Sequence, residues 1–154
     1  SQPGITIASP VSGTVVPLTE VPDPTFAQGI LGPGAAVQPS EGRIVAPANG
    51  TVDMMFDTGH AVSMTTSEGA ELLIHVGIDT VNLKGQHYTA KCKSGDTVRK
   101  GDTLIEFDID AIRKAGYEVV TPVIVCNPDA FASVKTEGAG SVQAGDDLLM
   151  LEKK

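Results

Sequence analysis

The chain has 154 residues, 41% hydrophobic and 19% charged, a composition that supports a buried core and excludes disorder. Nineteen acidic against eleven basic residues leave a formal net charge of −8, which argues against nucleic acid and for a partner with a basic face. No stretch has the basic start and long apolar run of a signal peptide or membrane span, so the expectation is one domain over residues 1–154, cytoplasmic and without direct membrane insertion, whether free or cut from a longer membrane protein. Cys92 and Cys126 are isolated and read as reduced, buried thiols.

Seventeen glycines, ten prolines and no long amphipathic stretch predict an all-β fold, a sandwich or barrel of short strands with a few short helical turns. Ser9-Pro10-Val11-Ser12-Gly13-Thr14-Val15 is echoed by Ala46-Pro47-Ala48-Asn49-Gly50-Thr51-Val52. Gly95-Asp96-Thr97-Val98, Gly101-Asp102-Thr103-Leu104 and Gly145-Asp146-Asp147-Leu148 are three more glycine turns, each releasing a short strand. Asp23 before Pro24, with Gly29 as a stop, predicts a short helix, and so does Asp108 before the cations Arg113 and Lys114. Asn127-Pro128-Asp129-Ala130 predicts a further turn, Tyr117 to Cys126 a buried strand and Asp146 to Glu152 the closing one.

Residues Phe56 to Asp79 hold two of the three histidines and read as a hairpin. His60 to Thr65 alternates through Val62 and Met64; Leu72, Ile74 and Val76 share one face of the second strand, Leu73 and His75 the other. Thr66-Ser67-Glu68-Gly69 supplies the turn. A two-residue turn at Ser67-Glu68, or a four-residue loop over Thr66 to Gly69, pairs His60 with His75 on one face. Opposed Cβ atoms are about 5 Å apart. Such rings can hold a phosphoryl group, a metal or a proton, or simply face each other with no task. Thr58 would reach the same face if the strand extended that far, against the tendency of Gly59.

Other constellations are weaker. His87 follows Lys84-Gly85-Gln86 and reads as an exposed loop residue. There is no Gly-x-Ser-x-Gly, no phosphate-cradling Gly-x-x-x-x-Gly-Lys and no His-Glu-x-x-His. A zinc-binding protein or hydrolase using His60 and His75 needs a third ligand, for which Asp79 is the candidate. A biotin or lipoyl carrier is excluded, because Met54 and Met55 stand where the modified lysine belongs. A non-catalytic regulatory module on a barrel-type fold stays open. Phe26, Ile30, Leu31, Phe56 and Leu73 are each core candidates, although together they could rim a histidine pair as a docking surface.

Leu72-Leu73-Ile74-His75-Val76-Gly77-Ile78-Asp79-Thr80-Val81-Asn82-Leu83-Lys84-Gly85 closely resembles the signature of the glucose-class enzyme IIA of the bacterial phosphoenolpyruvate-dependent sugar phosphotransferase system. Ala46-Pro47, Gly50-Thr51, Thr58-Gly59-His60-Ala61, Gly101-Asp102, Phe107-Asp108 and Thr121-Pro122-Val123 fall in order, so the resemblance covers nearly the whole chain. It implies an antiparallel β-sandwich or barrel. It further implies a phosphotransferase component in which His75 accepts a phosphoryl group from the carrier protein HPr and passes it to a cysteine of an enzyme IIB domain. His60 would bind the phosphoryl oxygens, Thr58 would orient His60, and the Gly77 carbonyl would hold the unreactive nitrogen of His75. The implied docking surface is Asp23, Phe26, Ile30, Leu31, Phe56, Leu73 and Asp79, with the two acids meeting basic residues of HPr. No cofactor is implied beyond covalent phosphohistidine. Zinc at His60 and His75 is implied only where a regulated metabolic enzyme or transporter completes the shell.

Overall fold

The structure is a computed structural model that describes residues 4–154. Strands β1 (Gly4–Ala8) and β2 (Gly13–Val16) precede a 3-10 turn at Leu18–Glu20 and helix α1 (Pro24–Ala27). Strands β3 (Gly34–Pro39), β4 (Arg43–Val45), β5 (Gly50–Met55), β6 (Ala61–Thr66) and β7 (Glu71–His75) follow, then a 3-10 turn at Thr80–Leu83. Next come β8 (Tyr88–Ala90), β9 (Thr97–Val98), β10 (Thr103–Phe107), helix α2 (Ile109–Lys114) and β11 (Thr121–Val125). A last 3-10 turn at Pro128–Ala130 leads to β12 (Phe131–Thr136), β13 (Ser141–Val142) and β14 (Asp147–Lys153). No helix among the described residues is long and apolar enough to cross a membrane.

Every pairing is antiparallel. The large sheet runs β13-β2-β3-β11-β7-β6-β5-β9, and two smaller sheets, β1-β14-β12 and β4-β10-β8, complete the expected all-β architecture. The three Gly-Asp turns share one construction. Asp96, Asp102 and Asp146 each accept, at 2.8 Å, the backbone N–H three residues earlier, from Lys93, Arg99 and Gln143. The glycine before each aspartate is left-handed, which only glycine adopts without strain.

The main core lies on the inner face of the large sheet, where Ala35, Val37, Val62, Met64, Leu72, Ile74, Val123 and Val125 meet Ile5, Ile7, Leu149 and Leu151. The outer face carries a second, smaller cluster of Val21, Phe26, Ala36, Ile78, Val120 and Ile124, with Leu73 packed against it. Strand β11 is therefore covered on both sides, and all five of its residues are buried. It is shorter than the expected Tyr117–Cys126 strand, because Tyr117, Glu118, Val119 and Val120 form a connecting segment. Cys126 is exposed and only Cys92 is buried, which corrects the expectation of two buried thiols.

Helix α1 forms as the sequence implies. The Asp23 carboxylate caps it by accepting the Thr25 N–H at 2.9 Å, and Gly29 ends it with φ +71°. Asp108 caps α2 through the Ala111 N–H at 3.0 Å.

The β6–β7 hairpin departs from the expected register. Thr66 N–H donates to the Ala70 carbonyl at 2.8 Å, so the loop is the three residues Ser67, Glu68 and Gly69, with Gly69 left-handed at φ +93°. The odd loop length pairs Ala61 with His75. His60 stands opposite Val76 instead, and its carbonyl accepts the Val76 N–H at 2.7 Å.

Candidate functional site

His75 ends β7 on the outer face, in line with Leu73. Its Nδ1–H donates to the Gly77 carbonyl at 2.7 Å, which leaves Nε2 as the nitrogen with a free lone pair. That geometry depends on Gly77. Its φ is +92°, and a Cβ there would lie 2.5 Å from Thr80 Cγ2 and 2.7 Å from the Glu118 carbonyl. The Gly77 N–H donates to the Val120 carbonyl at 3.1 Å, tying the segment to the chain entering β11.

His60 reaches the same place by another route. It precedes β6 and follows the turn Asp57-Thr58-Gly59, where Gly59 N–H donates to the Phe56 carbonyl at 2.8 Å and Gly59 has φ +72°. Strand alternation does not govern its side chain. The His60 and His75 ring centroids lie 4.9 Å apart at an interplanar angle of 81°. The Thr58 hydroxyl hydrogen-bonds His60 Nδ1 through this turn, with no extension of the strand. A hydroxyl donating to Nδ1 leaves the ring proton on Nε2.

Aromatic side chains flank the pair. Phe26 lies 5.1 Å from the His75 ring and Phe56 5.5 Å from the His60 ring. His60 is only 3% exposed, and burial, with a smaller contribution from the neighbouring His75, lowers its pKa to about 4. Burial also lowers the pKa of His75, against the raising influence of its bond to Gly77 and of the Asp23 and Asp79 carboxylates. Both rings are therefore neutral at pH 7.

The remaining expected docking residues differ in exposure. Ile30 and Leu31, just beyond α1, are 67% and 39% exposed, and Asp79 is exposed. Asp23, Phe56 and Leu73 are half-buried, while Phe26 belongs to the second core cluster and touches His75 at the same time. His87 is exposed on its loop, as expected. Among the described residues no group of three His, Cys, Asp or Glu side chains is arranged to hold a metal ion, so Asp79 does not complete a ligand set with His60 and His75.

Three residues near the site went unread in the sequence. Val81, two residues beyond Asp79, is a 52% exposed aliphatic. Thr80 is fully buried and donates its hydroxyl to the Val76 carbonyl at 2.8 Å. Tyr88 donates to that same carbonyl at 2.7 Å, and its ring lies 6.5 Å from that of His60. Val81 could have been found as an apolar residue in a polar turn and Thr80 as a threonine able to bond the carbonyl four residues back; Tyr88 has no local signal.

Residues 5–131 match the family model described as phosphoenolpyruvate-dependent sugar phosphotransferase system, EIIA 1. The glucose-specific EIIA component of Oceanobacillus iheyensis is 42% identical over 146 residues, which are 95% of this chain and 88% of that protein. The beta-glucoside-specific EIIBCA component of Bacillus subtilis is 47% identical over 145 residues; they are 94% of this chain, but the chain spans only 24% of that longer relative. Among solved structures, the glucose permease IIA from Mycoplasma capricolum superposes with a TM-score of 0.87 at 30% identity and covers 96% of both chains.

Proposed function

The chain belongs to the phosphoenolpyruvate-dependent sugar phosphotransferase system EIIA 1 family, and on that premise we propose that His75 is the residue that carries its phosphoryl group. The family's work is phosphoryl carriage in sugar uptake, as a phosphotransferase component that passes the group to an EIIB domain. The observation that carries the residue assignment is the 2.7 Å bond from His75 Nδ1–H to the Gly77 carbonyl, beside a second ring at 4.9 Å.

The donor is phospho-HPr. Nε2 of neutral His75 attacks phosphorus, the Nε2–P bond forms, and the P–N bond of the donor phosphohistidine breaks. The positive charge that develops on the His75 ring is shared with the Gly77 carbonyl through Nδ1–H. His60, with its proton on Nε2, donates to a phosphoryl oxygen and lowers the cost of in-line displacement. Asp23 and Asp79 lie near His75 and meet basic residues of HPr, while Phe26, Ile30, Leu31, Phe56 and Leu73 supply the apolar contact that excludes loose water while the partner is docked. A cysteine thiolate of the EIIB domain then attacks the same phosphorus, the S–P bond forms, and His75 leaves as a neutral imidazole.

No cofactor enters these steps beyond phosphohistidine itself. A zinc ion at His60 and His75 would need further ligands from a regulatory partner. The carrier works at the cytoplasmic side of a sugar permease.

Incubation with phosphoenolpyruvate, enzyme I and HPr tests the assignment. One acid-labile, alkali-stable phosphate per chain is expected, absent in His75→Gln. His60→Gln should load phosphate and pass it on poorly. Stable loading of His75→Gln to the wild-type level would overturn the reading.

A further inference from the structure

The peptide between Val76 and Gly77 is held more tightly than a surface turn requires. Its carbonyl accepts two hydroxyl donors, Tyr88 Oη at 2.7 Å and Thr80 Oγ1 at 2.8 Å. The Val76 N–H is bound to the His60 carbonyl and the Gly77 N–H to that of Val120. Thr80 is fully buried and its Cγ2 packs where a Gly77 side chain would be. With these groups fixed, the next carbonyl, that of Gly77, falls on His75 Nδ1.

Tyr88 also borders the other histidine. Its ring lies 6.5 Å from that of His60, stacks on Phe107 at 6.3 Å, and its Cβ stands 3.3 Å from where a side chain on Gly59 would begin. Tyr88 opens β8 and pairs with Phe107 in the β4-β10-β8 sheet, so it brings a separate sheet to bear on both active-site turns.

We propose that Tyr88 is a positioning residue for phosphoryl transfer, its hydroxyl fixing the Val76–Gly77 peptide that orients His75 and its ring backing the turn that presents His60. The role rests on the carrier reading of His75 given above. Burial raises the phenol pKa to about 12, so the hydroxyl stays a donor across the working pH range. The two hydroxyls share one acceptor, so removing either leaves the carbonyl bonded but free to tilt.

The test is Tyr88→Phe, which keeps the ring and its stacking while removing only the hydroxyl. In wild-type protein, nitrogen-15 NMR should show His75 almost wholly as the Nδ1–H tautomer. In Tyr88→Phe the Nε2–H tautomer should become visible, and the rate of loading from phospho-HPr should fall roughly 3- to 10-fold, with KM for phospho-HPr unchanged. An unaltered tautomer ratio and unaltered loading in Tyr88→Phe, in a wild-type background that loads normally, would overturn the role of Tyr88. Failure of the wild-type chain to load at all would overturn the carrier reading instead.

Discussion

His60 stands across the ladder from Val76, yet its ring lies 4.9 Å from that of His75, the neighbour on the diagonal. The contact exists because His60 is not yet in the strand. Gly59, left-handed at φ +72°, turns the chain just before β6 begins, and the Thr58 hydroxyl holds the ring by Nδ1. A regular strand extended through residue 60 would have put the two rings on opposite faces of the sheet.

Two substitutions separate these contributions. Thr58→Val should leave the thermal midpoint almost unchanged and reduce transfer to the EIIB domain by roughly 10-fold, since it frees the His60 tautomer. Gly59→Ala should destabilise the fold by about 1–2 kcal/mol, the cost of a left-handed alanine, and reduce transfer further as the new Cβ presses on Tyr88 at 3.3 Å. Stability comes from thermal denaturation, and transfer from the decay of labelled phosphate in the presence of the EIIB domain. Normal transfer in both variants would show that His60 needs no fixed orientation.

Gly77→Ala should be worse than either. The Cβ would meet Thr80 Cγ2 at 2.5 Å and the Glu118 carbonyl at 2.7 Å, in a backbone already left-handed at φ +92°. Both neighbours are held, the threonine by its bond to Val76 and the Glu118 carbonyl by the Ile78 N–H at 3.1 Å. A loss of at least about 3 kcal/mol is expected, from strain and overpacking together. Loading of His75 measured well below the lowered melting temperature should still fall more than about 10-fold, because the Nδ1 acceptor has moved. Full loading in a destabilised variant would separate the turn's structural task from its chemical one.

The sequence made much of this legible because its signals are local. The Asp-Pro and Asp-Ile caps, the Gly-Asp turns and the period-two pattern of Leu72, Ile74 and Val76 each depend on a few neighbouring residues, and each reappears in the structure. The sequence pairs the two histidines only through a loop of even length. The loop is odd, and a one-residue difference there moves every partner along β6. The rings meet despite that register, by a turn at Gly59 that strand periodicity cannot express. Tyr88 reaches a carbonyl twelve residues back from another strand, so no local pattern marks it, whereas the Thr80 hydroxyl bonds the same carbonyl only four residues back. Cys126, which the sequence reads as buried, is exposed because β11 ends one residue before it, leaving it outside the doubly covered stretch.

The buried, neutral His60 also predicts a pH dependence of stability. Its folded pKa is about 4 against an unfolded value of 6.5. Above pH 6.5 neither state binds the proton and the residue contributes no slope. Between 6.5 and 4 the unfolded chain takes up a proton that the folded one refuses, so stability is lost as pH falls across that window, by on the order of 3 kcal/mol in total. Below 4 both states are protonated and the loss levels off. Urea denaturation from pH 8 to pH 4 should show this decline, and His60→Gln should make it shallower, leaving the part that His75, also lowered by burial, contributes. An equally steep decline in the variant would place the titrating group elsewhere.

The proposed docking surface includes residues that stand free of the core and residues, Phe26 among them, that also hold the fold. Ile30 is 67% exposed just beyond α1, so Ile30→Ala should leave the melting temperature within about 2 °C and weaken HPr binding by roughly 5- to 10-fold. Phe26 is 5% exposed, sits in the outer cluster with Val21, Ala36, Ile78, Val120 and Ile124, and lies against the His75 ring. Phe26→Ala should therefore cost about 3–5 kcal/mol of stability as well as affinity. It should also let water reach His75 and raise its pKa toward the ordinary value, since burial is the chief cause of the depression. Calorimetric titration with HPr, thermal denaturation and the NMR titration of His75 read the three effects separately. Loss of affinity in Ile30→Ala with a matching loss of stability would mean that Ile30 acts through the fold, and the apolar rim would then have to be drawn without it.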